Sequence, residues 1–418
     1  MPIPACDDRS NRPRLGVPPT ATPCPAQRPQ HREDEDMTRN PVSPEMITWA
    51  CERAGYDMDY IETRLPQIPA WVRRERQPTL KQLEKLARVT HTPLGYLMLP
   101  EPPEERLPVP DYRAVAGAVR SRPSPDLLDT LYTMRRRQQW LRESLMESEA
   151  EPLDFVASAR LTDEPAAVGR EIRRALGLDG GWAPRVRTWQ DAVSELRRAI
   201  EQLGVMAVIN GVVGNNTHRR LSVKEFRGFA LTDSYAPLVF VNGADAKSAQ
   251  MFTLAHELAH IWLGEEGLSG FETLLPGGIE VEDWCNQAAA ELLAPEREIR
   301  ARWREVKRQT GPFETLARTF KVSPVVAARR ILDLGLVDRG TFFDFYEDYV
   351  NRERRSGTRP SGGDFYNNQN TRVGELFATQ VLRAAMEGRI GFKKAYDLTG
   401  LRGGTFQRYA RRLGVDLP

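Results

Sequence analysis

One short stretch restricts what this chain can be more than any other, Phe252-Thr-Leu-Ala-His-Glu-Leu-Ala-His-Ile-Trp-Leu-Gly264. In a helix, His256 and His260 stand four residues apart on nearly the same face, so that their imidazoles can hold one Zn²⁺. Glu257 is turned about 100° from His256, at ~3.6 residues per turn, which places its carboxylate beside the metal. A carboxylate there can take a proton from a zinc-bound water. The H-E-x-x-H pattern therefore predicts a zinc hydrolase with Glu257 as general base.

The residues around this pattern favour a buried helix with a defined end. Apolar side chains such as Leu254, Ile261 and Trp262 surround the two histidines, and Gly264 is a natural C-terminal stop. The alternative is a helix that carries two histidines by chance. The chain has only 5 histidines, which makes this spacing with a glutamate between them improbable under that alternative.

A hydrolytic zinc site usually has three protein ligands, and Glu282 is the candidate for the third. It opens the sequence Glu282-Asp-Trp-Cys-Asn-Gln-Ala-Ala-Ala-Glu-Leu-Leu-Ala-Pro295, whose alanines allow close packing against the zinc helix. On the residues alone, Glu282 and Asp283 could equally serve only to stabilise a helix N-terminus. The competing ligands are Glu280, Asp283, Glu265, Glu266 and His218.

Together, the two sequences quoted above resemble the ImmA/IrrE family of bacterial zinc metallopeptidases over roughly residues 185–300. The resemblance implies that His256, His260 and Glu282 bind Zn²⁺ and that Glu257 is catalytic. It also implies regulation by cleavage of a DNA-binding repressor at one site, in a stress or mobile-element response. One departure is Leu-Leu-Ala-Pro295 where family members often have Leu-Leu-Met-Pro, which is a change in packing only.

The N-terminal part divides into two predicted segments. Residues 1–36 are rich in Pro, Arg and charged side chains, and we expect them to be disordered. Residues 37–105 resemble the helix-turn-helix module of phage-repressor-like regulators, with Ser43 as a helix cap and an apolar stripe from Leu80. Pro66 and Pro69 shorten its third helix, which we place at residues 71–76. DNA reading and protein docking therefore both remain open, and the fusion itself resembles a common architecture of the same family.

The middle of the chain predicts helices followed by a small sheet. Residues 106–184 form a helical linker region, with an extended start at Leu107-Pro-Val-Pro-Asp-Tyr-Arg113 and an apolar helix stripe from Leu127 to Leu141. Residues 185–300 form the metallopeptidase domain. Its strands are expected at residues 205–209, 226–232 and 237–242, and residues 227–231 are the candidate edge strand for an extended peptide.

Two further regions follow the zinc motif. Residues 301–350 predict a helix-turn-helix-like module. In one interpretation, its Arg329 and Arg330 contact DNA phosphates. In the other, which we favour, the module packs on the peptidase domain. Residues 351–370 predict a polar linker within a basic helical region, 351–418. From residue 296 to residue 418 there are 24 Lys and Arg against 15 Asp and Glu. Such a basic region can bind DNA, but a solvated arginine face is the commoner explanation. Arg408, Arg411 and Arg412 with Phe406 and Tyr409 predict a basic-aromatic face.

Composition excludes several other classes of protein. No apolar run reaches the ~20 residues of a membrane span, so no membrane partner is expected. The 4 cysteines are scattered without a C-x-x-C pair, which fits a reducing cytoplasm and not a disulfide framework. We expect an α+β fold, mostly helical, in which a zincin-like domain with a small sheet is flanked by helix-turn-helix-like domains. The alternative function is a DNA-binding regulator or antitoxin-like protein whose zinc site is structural or sensory.

Overall fold

The structure, a computed structural model, describes residues 41–112, 122–178, 180–270, 279–356 and 365–415. The segment expected to be disordered, residues 1–36, lies outside these ranges. Within the ranges, the chain is mostly helical with a small mixed sheet, as the sequence predicted.

The N-terminal helices pack around a core of their own. Ser43 caps the first of them, because its side chain accepts a hydrogen bond from the backbone N–H of Met46. The third helix, expected at residues 71–76, instead covers Ile68–Val72, with Pro69 in its first turn. It ends before Arg74, which adopts a left-handed conformation. Leu80, placed in the apolar stripe, is exposed, whereas Leu83 and Leu86 are fully buried. The elements are α1 (Pro44–Arg53), α2 (Met58–Arg64), α3 (Ile68–Val72), α4 (Leu80–Thr90) and a 3₁₀ helix (Tyr96–Met98).

The central part contains all the described strands and the helix that carries the H-E-x-x-H pattern. Its first elements are α5 (Pro125–Glu147), α6 (Pro165–Ala175), α7 (Trp182–Arg185), α8 (Trp189–Gln202), β1 (Met206–Asn210), β2 (Val212–Val213) and β3 (Asn216–Arg220). They are followed by β4 (Gly228–Leu231), β5 (Leu238–Asn242), α9 (Lys247–Leu263), β6 (Gly267–Ser269) and α10 (Glu280–Leu293).

The C-terminal part is helical in every described range. Its helices are α11 (Glu296–Val306), α12 (Pro312–Phe320), α13 (Pro324–Asp333), α14 (Arg339–Ser356), α15 (Phe365–Val373), α16 (Glu375–Met386), α17 (Phe392–Thr399) and α18 (Gly403–Arg412). The polar linker predicted at residues 351–370 is therefore wrong where the structure describes it, because α14 and α15 extend into it from both sides.

The strand order corrects the expectation about the edge of the sheet. The four-stranded sheet has the order β1-β5-β4-β6, with β1 parallel to β5 and β4 antiparallel to both of its neighbours. Phe229 of β4 pairs with Phe240 on one side and with Leu268 on the other. Residues 227–231 are thus interior, and the outer strands of the described sheet are β1 and β6. The three-residue strand β6 is too short to be recognised by periodicity.

The two faces of the sheet bury two different helical layers, because side chains alternate along each strand. Ala207 and Val239 face a core built from helices α6 to α14. Val208 and Phe240 face a second core built from α5 and α15 to α18. Phe406 and Tyr409 are buried in the second core. The predicted basic-aromatic face is therefore divided, with its aromatic half inside the protein.

The arginines proposed to meet phosphates are engaged in the protein itself. Arg330 is buried, pairs with the Glu291 carboxylate of α10, and donates to the carbonyl oxygen of Ala294 at 3.1 Å. Arg329 pairs with Asp333 at 2.8 Å. Helices α11 to α13 thus share one core with α9 and α10, and α13 contacts α10 through Arg330, as the favoured alternative expected.

Among the described residues, no helix is both long enough and apolar enough to cross a lipid bilayer.

Candidate metal centre

Two packed helices bring the predicted metal ligands together. Helix α9 is buried along almost its whole length and presents His256 and His260 to the first turn of α10, where Glu282 lies. Helix α9 ends where the sequence predicted, at Gly264, whose φ of 73° is left-handed. His256, His260 and Glu282 form a cluster that could hold a metal ion, with ligand atoms all within 4.8 Å of one another.

The spacing of the ligand atoms fits a zinc ion. The Nε2 atoms of His256 and His260 are 3.2 Å apart, and each lies 3.2 Å from an oxygen of Glu282. Tetrahedral bonds of about 2.0–2.1 Å would separate neighbouring ligand atoms by roughly 3.3 Å. Two imidazole nitrogens and one carboxylate are also a ligand set that zinc accepts in hydrolases.

Burial and charge act in opposite directions on these groups. Burial favours the neutral form of Glu282, but the two histidines outweigh it and lower its pKa to about 2. Burial also disfavours protonation of His256, yet the Glu282 carboxylate beside it raises the pKa of this imidazole. The pKa of His260 is lowered, because burial outweighs the same carboxylate there. The cluster therefore keeps Glu282 anionic, as a metal ligand must be.

Glu257 is buried beside the cluster in a different electrostatic state. Burial raises its pKa to about 8, with Glu282 adding to the effect and His256 opposing it. Its side chain reaches β4 at Gly228, where a Cβ would lie 2.6 Å from the Glu257 Oε1 atom. A carboxyl group with a raised pKa beside a metal cluster is suited to accept and return a proton near neutral pH.

Sequence reasoning did not include three nearby residues. Gly228 admits the Glu257 carboxylate, and a glycine inside a predicted strand is a known sign of such close approach. The ring of Tyr112 stacks on that of His260, with centroids 6.0 Å apart and planes at 10°. Gly267 of β6 lies under the same tyrosine ring. No sequence signal pointed to Tyr112, which is far from the motif along the chain.

A narrow cleft opens beside Glu257, between α9 and the end of β6. Its lining is formed by Arg227, Phe252, Thr253, His256, Glu257, Ser269 and Gly270. Within the described ranges, the competing ligand candidates stay out of the cluster. Glu266, for example, pairs with Arg135 of α5, and His218 lies on the exposed strand β3.

A cluster that could hold a metal ion, on a buried helix pair and next to the further carboxyl group of Glu257, is an arrangement typical of metallopeptidases. In agreement, residues 201–332 match the model of a peptidase family described as the IrrE N-terminal-like domain. Residues 373–412 match a family model described only as a domain of unknown function. Neither match extends to the N-terminal helices. No curated protein and no solved structure matches the chain significantly.

Proposed function

We propose that the protein is a zinc-dependent endopeptidase with a regulatory role, which cleaves a DNA-binding repressor protein at one site and so relieves transcription. The observation that carries this proposal is the position of Glu257. It is fully buried, adjacent in sequence to His256, and borders the cleft that reaches the cluster. A purely structural metal site would have no use for a carboxyl group held there at the cost of burial.

In this proposal, His256, His260 and Glu282 would hold Zn²⁺, which would supply an activated water and polarise the scissile carbonyl. Glu257 would act as general base towards the attacking water and then as general acid towards the leaving amine. The raised pKa of Glu257 suits both halves of this proton transfer. The packing of α10 on α9 holds His256, His260 and Glu282 in place and keeps these buried side chains away from bulk water.

The identity of the substrate rests on the family resemblance, and the N-terminal helices are its proposed docking unit. We treat residues 37–105 as a separate helix-turn-helix-like unit, because its buried apolar residues form a cluster distinct from the two cores of the sheet. We keep residues 185–300 as the peptidase domain, flanked by residues 106–184, 301–350 and 351–418. Helices from all three flanking regions pack on its sheet or on α9.

The test compares cells that express the wild type with cells that express Glu257→Gln, by mass spectrometry of newly formed protein N-termini. A small set of cleavages seen only with the wild type would establish the peptidase and identify its substrate. The same N-termini in both strains would refute Glu257 as the general base. The wild-type protein and the Glu257→Gln variant must first be shown to bind zinc equally.

The second candidate is a DNA-binding regulator with a structural or sensory zinc site. The exposed arginines of α18 favour it, since Arg408 and Arg411 lie on the surface of a basic C-terminal region. Phosphate contacts release counterions, so DNA binding of this kind would weaken steeply with salt. Binding that is lost in Arg408→Ala/Arg411→Ala and unaffected by Glu257→Gln would support this function.

A further inference from the structure

The outer edge of β6 is already occupied by another part of the chain. The N–H of Leu268 donates to the carbonyl of Pro110 at 3.0 Å, and the N–H of Tyr112 donates to the carbonyl of Leu268 at 3.1 Å. Asp111 and Leu268 form a parallel β-bridge. Residues 107–112, here called the covering segment, thus pair with the edge of the sheet through a single β-bridge.

These are the main-chain groups that an extended peptide would use. On the inner side of β6, the carbonyl of Ser269 accepts a hydrogen bond from the N–H of Arg227. Because successive residues of a strand turn to opposite sides, the N–H and C=O of Leu268 point outward. The next residues, Ser269 and Gly270, line the cleft beside Glu257. A peptide paired with Leu268 would therefore lead directly to the metal centre.

The covering segment also lies over a metal ligand. The Tyr112 ring stacks on the His260 imidazole, and it fits there because Gly267 has no side chain. A Cβ on Gly267 would lie 2.3 Å from the Cε2 atom of Tyr112, so the two cannot coexist without movement of the ring. The approach to the cluster from this side is thus closed by the chain itself.

Anchors hold the covering segment at several points. The Arg135 guanidinium of α5 donates to the carbonyl of Pro108 at 3.2 Å while it pairs with Glu266, just before β6. Val109 is buried in the core of the sheet. Upstream, Glu105 forms a buried ion pair with Arg53 of α1, with both contacts at 2.7 Å. The segment is therefore connected mechanically to the N-terminal helices.

We propose that residues 107–112 are a self-inhibitory strand, which occupies the place of an extended peptide substrate on β6 and must leave before that substrate can bind. This inference rests on the proposed peptidase function. It also assigns a role to the N-terminal helices. A partner that displaces these helices would move the covering segment as well, because the Arg53–Glu105 ion pair joins the two. Since the N-terminal helices are also the proposed docking unit for the substrate, the expected activator is the docked substrate protein itself.

Three full-length variants release the segment in different ways. Tyr112→Ala removes the ring, and Gly267→Ala adds a methyl group that clashes with the ring. Arg135→Met removes the hydrogen bond to the carbonyl of Pro108, at a distance from the metal centre. Arg106→Met is the matched control, since its ion pair with Glu104 is exposed. Loss of one contact should shift a closed–open equilibrium roughly five- to tenfold.

The first readout needs no catalysis. Hydrogen exchange at the backbone amides of positions 112 and 268 in the metal-free protein, relative to each amide's intrinsic rate, should accelerate by that factor in the three variants and not in Arg106→Met. A zinc-binding tripeptide hydroxamate should bind the zinc-loaded variants more tightly by the same factor, in a Glu257→Gln background. Exchange already fast in the wild type, or hydroxamate affinity unchanged in all three variants, would overturn the proposal whether or not the protein is a peptidase.

The second readout is cleavage of the substrate found in the N-terminus comparison. The three variants should cleave it faster than the wild type, mainly through a lower KM. Tyr112→Phe separates this role from direct catalysis, because it keeps the ring and removes the hydroxyl group. Loss of cleavage in both Tyr112→Phe and Tyr112→Ala would overturn self-inhibition and make Tyr112 a group that acts on the substrate.

Discussion

The Glu282 carboxylate lies 3.2 Å from the Nε2 atom of His260 and thereby joins α10 to α9 at the centre of the candidate site. The pair is fully buried, and the same carboxylate reaches His256 at an equal distance. An anionic group buried between two imidazoles is stable only if it is compensated, and a divalent cation would compensate it more completely than a protonated histidine.

Zinc binding should depend on Glu282 and not on Glu257. We expect Glu282→Gln to weaken Zn²⁺ binding on the order of 100-fold or more, because it removes the anionic ligand. Glu257→Gln should bind zinc within a few fold of the wild type. Isothermal titration of the metal-free proteins measures both. Equal losses in the two variants would make Glu257 a ligand.

Gly228 should be required for the position of the Glu257 carboxyl group. In Gly228→Ala, the new methyl group would lie 2.6 Å from Glu257 Oε1 and 2.8 Å from the carbonyl oxygen of Phe240. The carboxyl group has to move, so cleavage should fall on the order of 100-fold while zinc binding is retained. Cleavage at the wild-type rate in a folded Gly228→Ala protein would contradict this placement. Circular dichroism and zinc titration serve as controls for folding.

The close packing of α6 on α10 should depend on the absence of a side chain at Gly169. A Cβ there would meet the carbonyl oxygen of Ala288 at 2.5 Å and the Cβ of Glu291 at 2.9 Å. Gly169→Ala should therefore lower the free energy of unfolding by about 1–3 kcal/mol. Gly404 of α18 has no neighbour within 4 Å of such a Cβ, so Gly404→Ala should raise it by about 0.5–1 kcal/mol. Chemical denaturation of both variants checks the opposite signs.

Glu201 should make stability depend on pH. It pairs with Arg197 and accepts from the backbone N–H of Glu375 at 2.8 Å, which docks α16 on α8. Burial raises its pKa to about 7, against the opposing effect of Arg197.

Because the folded-state pKa is raised, the folded state keeps the proton that the unfolded chain loses first. The stability of the wild type relative to Glu201→Gln is thus fully present below the unfolded pKa, near 4.5, and is lost as the pH rises towards about 7. The loss is at most about 1.4 kcal/mol per pH unit in this window. Denaturation of both proteins across the window measures it. If the stability of the wild type relative to Glu201→Gln increased with pH, the raised pKa of Glu201 would be contradicted.

Local patterns account for much of what the sequence predicted correctly. The H-E-x-x-H helix, its Gly264 stop, the Ser43 cap and strands near residues 205–209 and 237–242 all follow from residues within one turn or one strand of each other. The aromatic residues of α18 were misread, since an amphipathic stripe of Phe406 and Tyr409 looks the same whether it faces DNA or a protein core. The role of Arg330 was ambiguous for a similar reason, because the sequence does not show that Glu291 lies beside it in the folded protein.

The sequence by itself thus determined the chemistry that this chain can perform: two imidazoles, a third ligand candidate and a separate carboxyl group at helical spacing. Only the tertiary structure decided which strand forms the edge of the sheet, that Gly228 admits Glu257, and that Tyr112 covers His260. The physical reason is the range of the interactions. Helical and strand periodicities are fixed by neighbours in the chain, whereas strand order and close approach depend on how distant segments pack together.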